Sequence, residues 1–231
     1  MAPHDANTIA EIETAPTISG PYSLYSSSFT IEFLSPPPSL HATVLMRCTY
    51  HLPSASLGKA HPQAPPLHLH FSQSETFLVT QGTVGTTTGY ELTDTVWAAG
   101  MQPQEIVPWV PHRFWPDPDA SEDSTVYVWA HPDADEWMDR LFFENLLKYV
   151  SDASEGKVKI DMVQMLVTQH ASATALVVFP TAWWLGALRW GLPWVVQAAV
   201  ARVGRLCGYR ALMKKYTEEG EWKEYISAKR A

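Results

Sequence analysis

The stretch Pro66-Leu67-His68-Leu69-His70-Phe71-Ser72-Gln73-Ser74-Glu75, followed by a glycine at Gly82, is the most informative part of this 231-residue chain. Two histidines two positions apart in a β-strand point to the same face of the sheet. If that face is the interior of a barrel, both imidazoles can reach one point. Glu75 opens the next strand after a tight turn, so its carboxylate can lie beside them.

A second segment, Pro108-Trp109-Val110-Pro111-His112-Arg113-Phe114, offers a third imidazole at His112. It lies on a strand that could return past the first pair of histidines. Three imidazoles and one carboxylate suit Fe(II), Mn(II), Ni(II) or Zn(II), with one or two positions open for substrate or oxygen. Each of the other six histidines is interpreted as structural or surface-exposed.

Outward from these segments the chain is a series of short β-like runs broken at turn residues. The predicted strands are Phe29–Leu34, His41–Leu52, Leu67–Phe71, Glu75–Gln81, Thr83–Leu92, Asp94–Ala98, Gln104–Pro108, His112–Trp115 and Thr125–Ala130. Many short strands at such spacing indicate an antiparallel sandwich or barrel.

The two segments resemble the two motifs of the cupin superfamily: alternating histidines, a glutamate and a closing glycine, then a turn before a last histidine. The chain is similar to small single-domain (type-2) fungal cupins of secondary-metabolite pathways. The resemblance implies a mainly β fold, a single antiparallel cupin (jelly-roll) barrel with a C-terminal helical extension. It also implies that His68, His70, Glu75 and His112 are metal ligands. The second segment departs from the cupin motif at two positions. Trp109 stands where a glycine is usual, and Pro116 stands where an asparagine often follows the histidine.

Changes in composition divide the chain into three parts. Residues 1–28 are predicted to form an extended N-terminal arm that wraps the domain or stays mobile, residues 29–131 the barrel, and residues 132–231 a helical extension that packs on the barrel or on a partner surface. Within the extension, helices are predicted over Ala134–Val150, Val158–His170 and Tyr209–Lys229. Apolar residues recur at helical spacing in the first of these, which has acidic residues in its first turn.

The net charge of −8 argues against a nucleic acid as partner. Ser172–Ala231 carries +5, which leaves −13 on the acidic body. Two distant cysteines imply no disulfide framework. The first residues contain four charged or titratable side chains and no apolar run, so no secretory signal peptide is expected, and the expected location is cytoplasmic.

The segment Ser172–Leu188 holds 17 residues without a charge, short of the about 20 that a membrane-spanning helix needs. Three interpretations remain open: a lid packed on the barrel mouth, a homodimer contact, or an interfacial helix with Trp and Arg at a membrane surface. We expect Ala173–Val200 to be helical and mostly covered by protein, either by its own barrel or by a second subunit. The tryptophans in this part of the chain are interpreted as core or contact surface.

The cupin resemblance favours a metal-dependent oxidoreductase, a dioxygenase using Fe(II), that acts on a lipophilic small molecule such as an aromatic polyketide or terpenoid. Alternatives are a metal-assisted isomerase, cyclase or decarboxylase without O₂, and a non-enzymatic binding protein. Glu75 is the candidate catalytic base as well as a ligand. By strand parity the candidate pocket residues are Phe77, Val79 and Phe114, and ordinary core packing is the alternative for each. Met46, Cys48 and Tyr50 share one face of their strand, which the sequence does not orient.

Overall fold

The structure is a computed structural model that describes residues 6–133 and 139–228. Its described part contains eleven strands in two antiparallel sheets, which confirms the predicted mainly β fold with helices towards the C-terminus. The strands are β1 (Thr17–Leu24), β2 (Phe29–Leu34), β3 (Val44–Tyr50), β4 (His68–His70), β5 (Ser74–Gln81), β6 (Thr83–Thr88), β7 (Thr93–Ala98), β8 (Gln104–Ile106), β9 (His112–Pro116), β10 (Ser124–His131) and β11 (Thr174–Leu176).

One sheet has the order β1-β2-β3-β10-β5-β8, and the other has the order β11-β4-β9-β6-β7. The side chains of β10 alternate between the two faces of its sheet, and each face packs in a different apolar cluster. Val126 and Val128 point into the barrel core, whereas Tyr127 and Trp129 point to the opposite face of the sheet. Both faces of this central strand are therefore buried.

The outer face of β10 is covered by the start of the chain. Helix α1 (Ala6–Glu13) places Ile12, which is fully buried, against Trp129 and its neighbours. β1 then pairs antiparallel with β2 and extends the sheet. The prediction of an extended arm is therefore wrong for Ala6–Glu13, because an apolar residue of a helix seals the outer face of the sheet.

The remaining helices are α2 (Arg140–Ser154), α3 (Met162–Ala171), α4 (Leu188–Leu206) and α5 (Glu219–Ala228). Asp139 caps α2 by accepting a hydrogen bond from the amide of Phe142 at 2.8 Å, and Asp161 caps α3 in the same way. The cap at Asp161 explains why α3 begins later than the predicted start at Val158. The helix start predicted from Ala134, with Trp137, lies outside the described residues.

Two predictions for the extension are wrong. The segment from Ala173 is not helical throughout, because Thr174–Leu176 adds a strand to the edge of β4. The last helix begins at Glu219 instead of Tyr209, because side chains capture the backbone donors before it. Tyr225 accepts from the amide of Ala211 at 3.1 Å, and Asn145 accepts from the amide of Met213 at 2.6 Å. In the part of the chain that is described, no helix is long and apolar enough to cross a bilayer.

Candidate metal centre

The four predicted ligand residues come from three strands that meet at one end of the barrel. His68 and His70 lie on β4, Glu75 on β5 and His112 on β9. The β4–β9 register sets His68 directly opposite His112, and their ring centroids are 4.6 Å apart. The parity of the His-Leu-His run turns both of its imidazoles to the same side, as the sequence predicts.

The ligand atoms of the four residues lie within 4.8 Å of one another. Glu75 Oε2 is 2.9 Å from His112 Nε2 and 3.7 Å from His70 Nε2. Two ligands about 2.1 Å from one ion and at right angles to each other would be about 3 Å apart, so the closer separation suits adjacent ligands. The four residues therefore form a compact, mostly buried cluster that could hold one metal ion.

Each of the three imidazoles is oriented through its Nδ1 atom. His68 Nδ1 lies 3.0 Å from the carbonyl of Pro66, and His112 Nδ1 lies 2.9 Å from the carbonyl of Val110. A carbonyl only accepts hydrogen bonds, so Nδ1 carries a proton in both rings. Burial lowers the pKa of His68, so its ring is neutral and the lone pair is on Nε2.

His70 is oriented by a residue of the C-terminal extension. Its Nδ1 lies 3.1 Å from the hydroxyl of Thr174, which in turn donates to the carbonyl of Ser172 at 3.2 Å. The hydroxyl is thus left to accept from His70. His70 Nε2 is buried and has no hydrogen-bond partner among the described residues. A buried acceptor without a donor is costly, and a bound metal would satisfy it.

The electrostatics of the cluster suit metal binding. Burial lowers the pKa of His68 and His70, so both are neutral at pH 7 and have an available lone pair. Burial alone would raise the pKa of Glu75. The hydrogen bond with His112 and the proximity of His70 outweigh that effect, so the pKa of Glu75 lies below its usual value and the carboxylate is ionised.

A cavity of about 120 Å³ opens beside the cluster. His68, His70 and Glu75 form part of its wall, and most of the rest is apolar. The barrel contributes Phe29, Ile31, Met46, Cys48, Tyr50, Phe114, Val126 and Val128, and α2 contributes Phe142, Phe143, Leu146 and Leu147. The face of β3 that the sequence left unassigned is thus the inner one.

Of the predicted pocket residues, Phe114 lines the cavity. Phe77 and Val79 lie outside its lining, within the buried core. Phe77 packs edge-on against Phe114, with ring centroids 5.1 Å apart, and so supports the cavity wall from behind. Strand parity identifies the inward face, but it does not tell how deep a residue lies below the mouth of the barrel.

Beyond α2, three more residues of the extension line the cavity and were not predicted: Gln169, Thr174 and Leu176. No local sequence pattern indicates them, because Thr174 is more than a hundred positions from the histidine that it contacts. Gln169 is buried, and its carboxamide oxygen has no hydrogen-bond partner among the described residues. The extension is therefore part of the site.

Trp109 stands where the motif usually has a glycine, and it has the backbone conformation that a glycine would adopt there. Its φ is 70°, in the left-handed region, at a cost of about 1–2 kcal/mol. Its amide donates to the carbonyl of His70 at 2.8 Å, and its ring packs on Phe71. These contacts hold the turn that leads into His112 without a glycine.

Two facing antiparallel sheets with this His/Glu cluster at one end define a cupin-like β fold. No protein-family model matches the sequence. The chain is 33% identical over 145 residues to Oxidoreductase iacF of Pestalotiopsis fici, which covers 58% of this chain and 67% of that protein. The chain belongs to the same family as this fungal oxidoreductase.

Longer alignments reach other fungal proteins. The chain is 29% identical over 211 residues to Probable oxidoreductase patJ of Aspergillus clavatus, with 86% of this chain and 62% of that protein covered. It is also 29% identical over 212 residues to Epoxidase atD of Aspergillus terreus, with 86% and 63% covered. The chain thus spans less than two thirds of the length of these two relatives.

Solved structures align only in part. Hydroxypropylphosphonic acid epoxidase from S. wedmorenis aligns with a TM-score of 0.34 at 16% identity, over 51% of this chain and 55% of that one. CapF from Staphylococcus aureus aligns with a TM-score of 0.35 at 12% identity, over 45% and 28%. Overlap of this extent says nothing about the activity of the present chain.

Proposed function

We propose that this protein is a metal-dependent oxidoreductase, specifically an Fe(II) dioxygenase, that acts on a lipophilic small molecule such as an aromatic polyketide or terpenoid. One observation carries the proposal: three imidazoles, each oriented through Nδ1, meet Glu75 at the wall of an apolar cavity. Kinship with a fungal oxidoreductase supports redox chemistry. The resemblance to small fungal cupins of secondary metabolism supports the substrate class.

His68, His70, Glu75 and His112 would hold the metal. When bound, an Fe(II) ion would supply a redox-active Lewis acid with positions open for substrate or O₂. Mn(II), Ni(II) and Zn(II) fit the same donor set. The buried, unpartnered Nε2 of His70 supports metal binding independently of the family resemblance.

Glu75 is the residue that could hold and move a proton at the site. Its Oε2 atom is 2.9 Å from His112 Nε2, and the carboxylate also borders the cavity. An ionised carboxylate there can act as a ligand or can accept a proton from a bound substrate. The apolar walls around it exclude water, which limits competing reactions.

The cavity wall indicates what the substrate looks like. Aromatic and aliphatic side chains from the barrel and α2 provide most of it, which suits a ring system with few polar groups. Tyr50 already donates its hydroxyl proton to Gln63, so these two polar groups are occupied. The carboxamide oxygen of Gln169 has no hydrogen-bond partner among the described residues. We assign it to accept a hydrogen bond from a hydroxyl group of the substrate.

The experiment that tests this function is metal exchange. Protein stripped with a chelator is reloaded separately with Fe(II), Mn(II), Ni(II) or Zn(II), and O₂ uptake is followed with a panel of aromatic and terpenoid phenols and alcohols. We expect Fe(II) alone to restore O₂ uptake, and His112→Ala to be inactive with every metal.

Two outcomes would contradict the proposal. Product formation without O₂, supported by Zn(II), would identify a metal-assisted isomerase, cyclase or decarboxylase. Tight substrate binding by metal-free protein without turnover would identify a binding protein on a cupin scaffold.

A further inference from the structure

One face of α4 is an exposed apolar stripe. It consists of Leu188, Leu192, Val195, Val196, Val203 and Leu206, here called the α4 stripe. The spacing of these residues, mostly three and four positions, places them on one side of a helix of 19 residues. Each of the six is at least half exposed, and Leu206 is 88% exposed. The outward face of this helix is thus as apolar as a core-facing helix would be.

The helix cannot turn the stripe inward, because its opposite face is tightly packed. Gln197 is buried, accepts from the amide of Leu176 at 3.3 Å and donates to the carbonyl of Thr174 at 2.5 Å. A side chain at Gly204 would come within 2.8 Å of Val163 and Val167 of α3. These contacts fix the rotation of α4 and leave the stripe bare.

Two tryptophans extend the stripe at the N-terminal end of the helix. Trp183 and Trp184, in the short turn before α4, are 78% and 71% exposed. Tryptophan side chains concentrate at the boundary between a membrane and water, because the ring is largely apolar and the indole N–H is polar. Bare tryptophans beside an apolar helix face indicate a contact with such a boundary.

The charge of this segment identifies the partner. From Ser172 to Thr217 the sequence has six Lys or Arg residues and no Asp or Glu, so its net charge is +6. The whole chain carries −8, which leaves −14 on the rest. Arg202 and Arg205 are exposed, border the stripe and form no ion pair with any residue that the structure describes. An anionic lipid headgroup would supply the missing negative charge, and the same face of a second copy would not.

We propose that α4 and the Trp183–Leu185 turn form a docking surface for an anionic lipid bilayer, with the helix lying in the interface. The length of α4 and its arginines fit this orientation, because an interfacial helix buries one face and keeps cations at the headgroups. Leu176 and Thr174, which α4 contacts through Gln197, line the candidate active-site cavity. The docked face therefore lies next to the part of the site that the extension builds.

The test is co-sedimentation of the full chain with vesicles of phosphatidylcholine, with and without phosphatidylserine. We expect binding to the phosphatidylserine vesicles, weakened by salt. The double variant Leu192→Ser/Val196→Ser should lose binding. Arg202→Gln/Arg205→Gln should weaken it by on the order of 30-fold, because each basic residue near an anionic surface contributes about fivefold. The matched controls Leu57→Ser, at 50% exposure like Leu192, and Lys157→Gln/Lys223→Gln should bind as the wild type does.

Three results would overturn the proposal. They are absence of binding to phosphatidylserine vesicles by the wild-type chain, equal binding to uncharged vesicles, and a solution dimer that the Leu192→Ser/Val196→Ser variant dissociates. The last result, measured by sedimentation velocity without lipid, would assign the stripe to a second copy of the chain. Circular dichroism of each variant verifies that it is folded.

Discussion

The candidate metal cavity and the α4 stripe with its neighbouring tryptophans are both largely apolar, and they differ in what surrounds their side chains. At the cavity, helix α2 and strand β11 cover the barrel, and each histidine has a fixed Nδ1 partner. At the stripe, nothing in the described structure covers Leu206 or Trp183. Both regions are apolar, so we expect enclosure and charge, and not hydrophobicity, to distinguish the candidate reaction site from the proposed docking surface.

The largest effects are expected from substitutions at the candidate metal ligands. Glu75→Gln keeps the size of the side chain but removes its charge and most of its basicity, so we expect much of the metal to remain on three imidazoles. Activity should fall by about 10²–10⁴-fold, the usual contribution of a proton-transfer group. His112→Ala should lose metal and activity together. Metal analysis and turnover measured on the same samples check both expectations, and full activity in Glu75→Gln would make Glu75 a structural residue.

Thr174 tests whether the extension belongs to the site. Thr174→Val keeps the shape but removes the hydroxyl that holds His70 Nδ1 at 3.1 Å. We expect metal affinity to fall by about 10–100-fold, as is typical when the partner of a metal-binding histidine is lost. Competition with a chromophoric chelator measures the metal affinity. Thr174→Ser, which keeps the hydroxyl, should bind metal as tightly as the wild type. Equal affinity in both variants would mean that the hydroxyl does not orient the ring.

Gln169 distinguishes binding from packing within the cavity. Gln169→Leu removes the carboxamide whose oxygen is unpartnered, so KM should rise by about 2–12-fold with kcat nearly unchanged. The free energy of unfolding of the same variant should be about 1 kcal/mol higher than that of the wild type, because the substitution removes a buried, unsatisfied polar group. Denaturant unfolding and steady-state kinetics separate the two effects. A destabilised variant with unchanged KM would show a structural role.

The smallest effect is expected on the stripe. Leu206→Ser should change the free energy of unfolding by no more than about 0.5 kcal/mol, because Leu206 makes little contact with the rest of the protein. Leu45→Ala, at a fully buried position, should cost about 2–5 kcal/mol. Urea unfolding of both variants makes the comparison. A large loss for Leu206→Ser would show that another part of the protein covers the stripe.

Strand alternation and turn residues predicted most of the barrel. Phe29–Leu34 is a strand with the predicted bounds, and Glu75–Gln81 differs from the observed strand by one residue. β11 could not be predicted, because a three-residue strand forms only where β4 presents an unpaired edge. The barrel does not cover the outer face of α4, because an apolar run does not reveal which of its sides meets protein. Cover of that face by a second subunit stays a prediction.

Some residues of the candidate site could likewise be predicted from the sequence, and others could not. Local spacing brings His68, His70 and Glu75 together, and the turn before His112 supplies the fourth residue. Their role as ligands stays a prediction, as does the division of the chain at residues 28 and 131. Thr174 and Gln169 reach the site only through tertiary packing of the extension, so no spacing in the sequence indicates them.

The central claim, that three histidines and Glu75 hold one divalent metal, is tested most directly by elemental analysis of the purified chain beside His112→Ala. We expect one transition-metal ion for each wild-type chain, with iron the metal that supports turnover, and little metal on the variant. Wild-type protein that takes up no metal after anaerobic incubation with Fe(II), or a His112→Ala variant that binds it equally well, would contradict the claim.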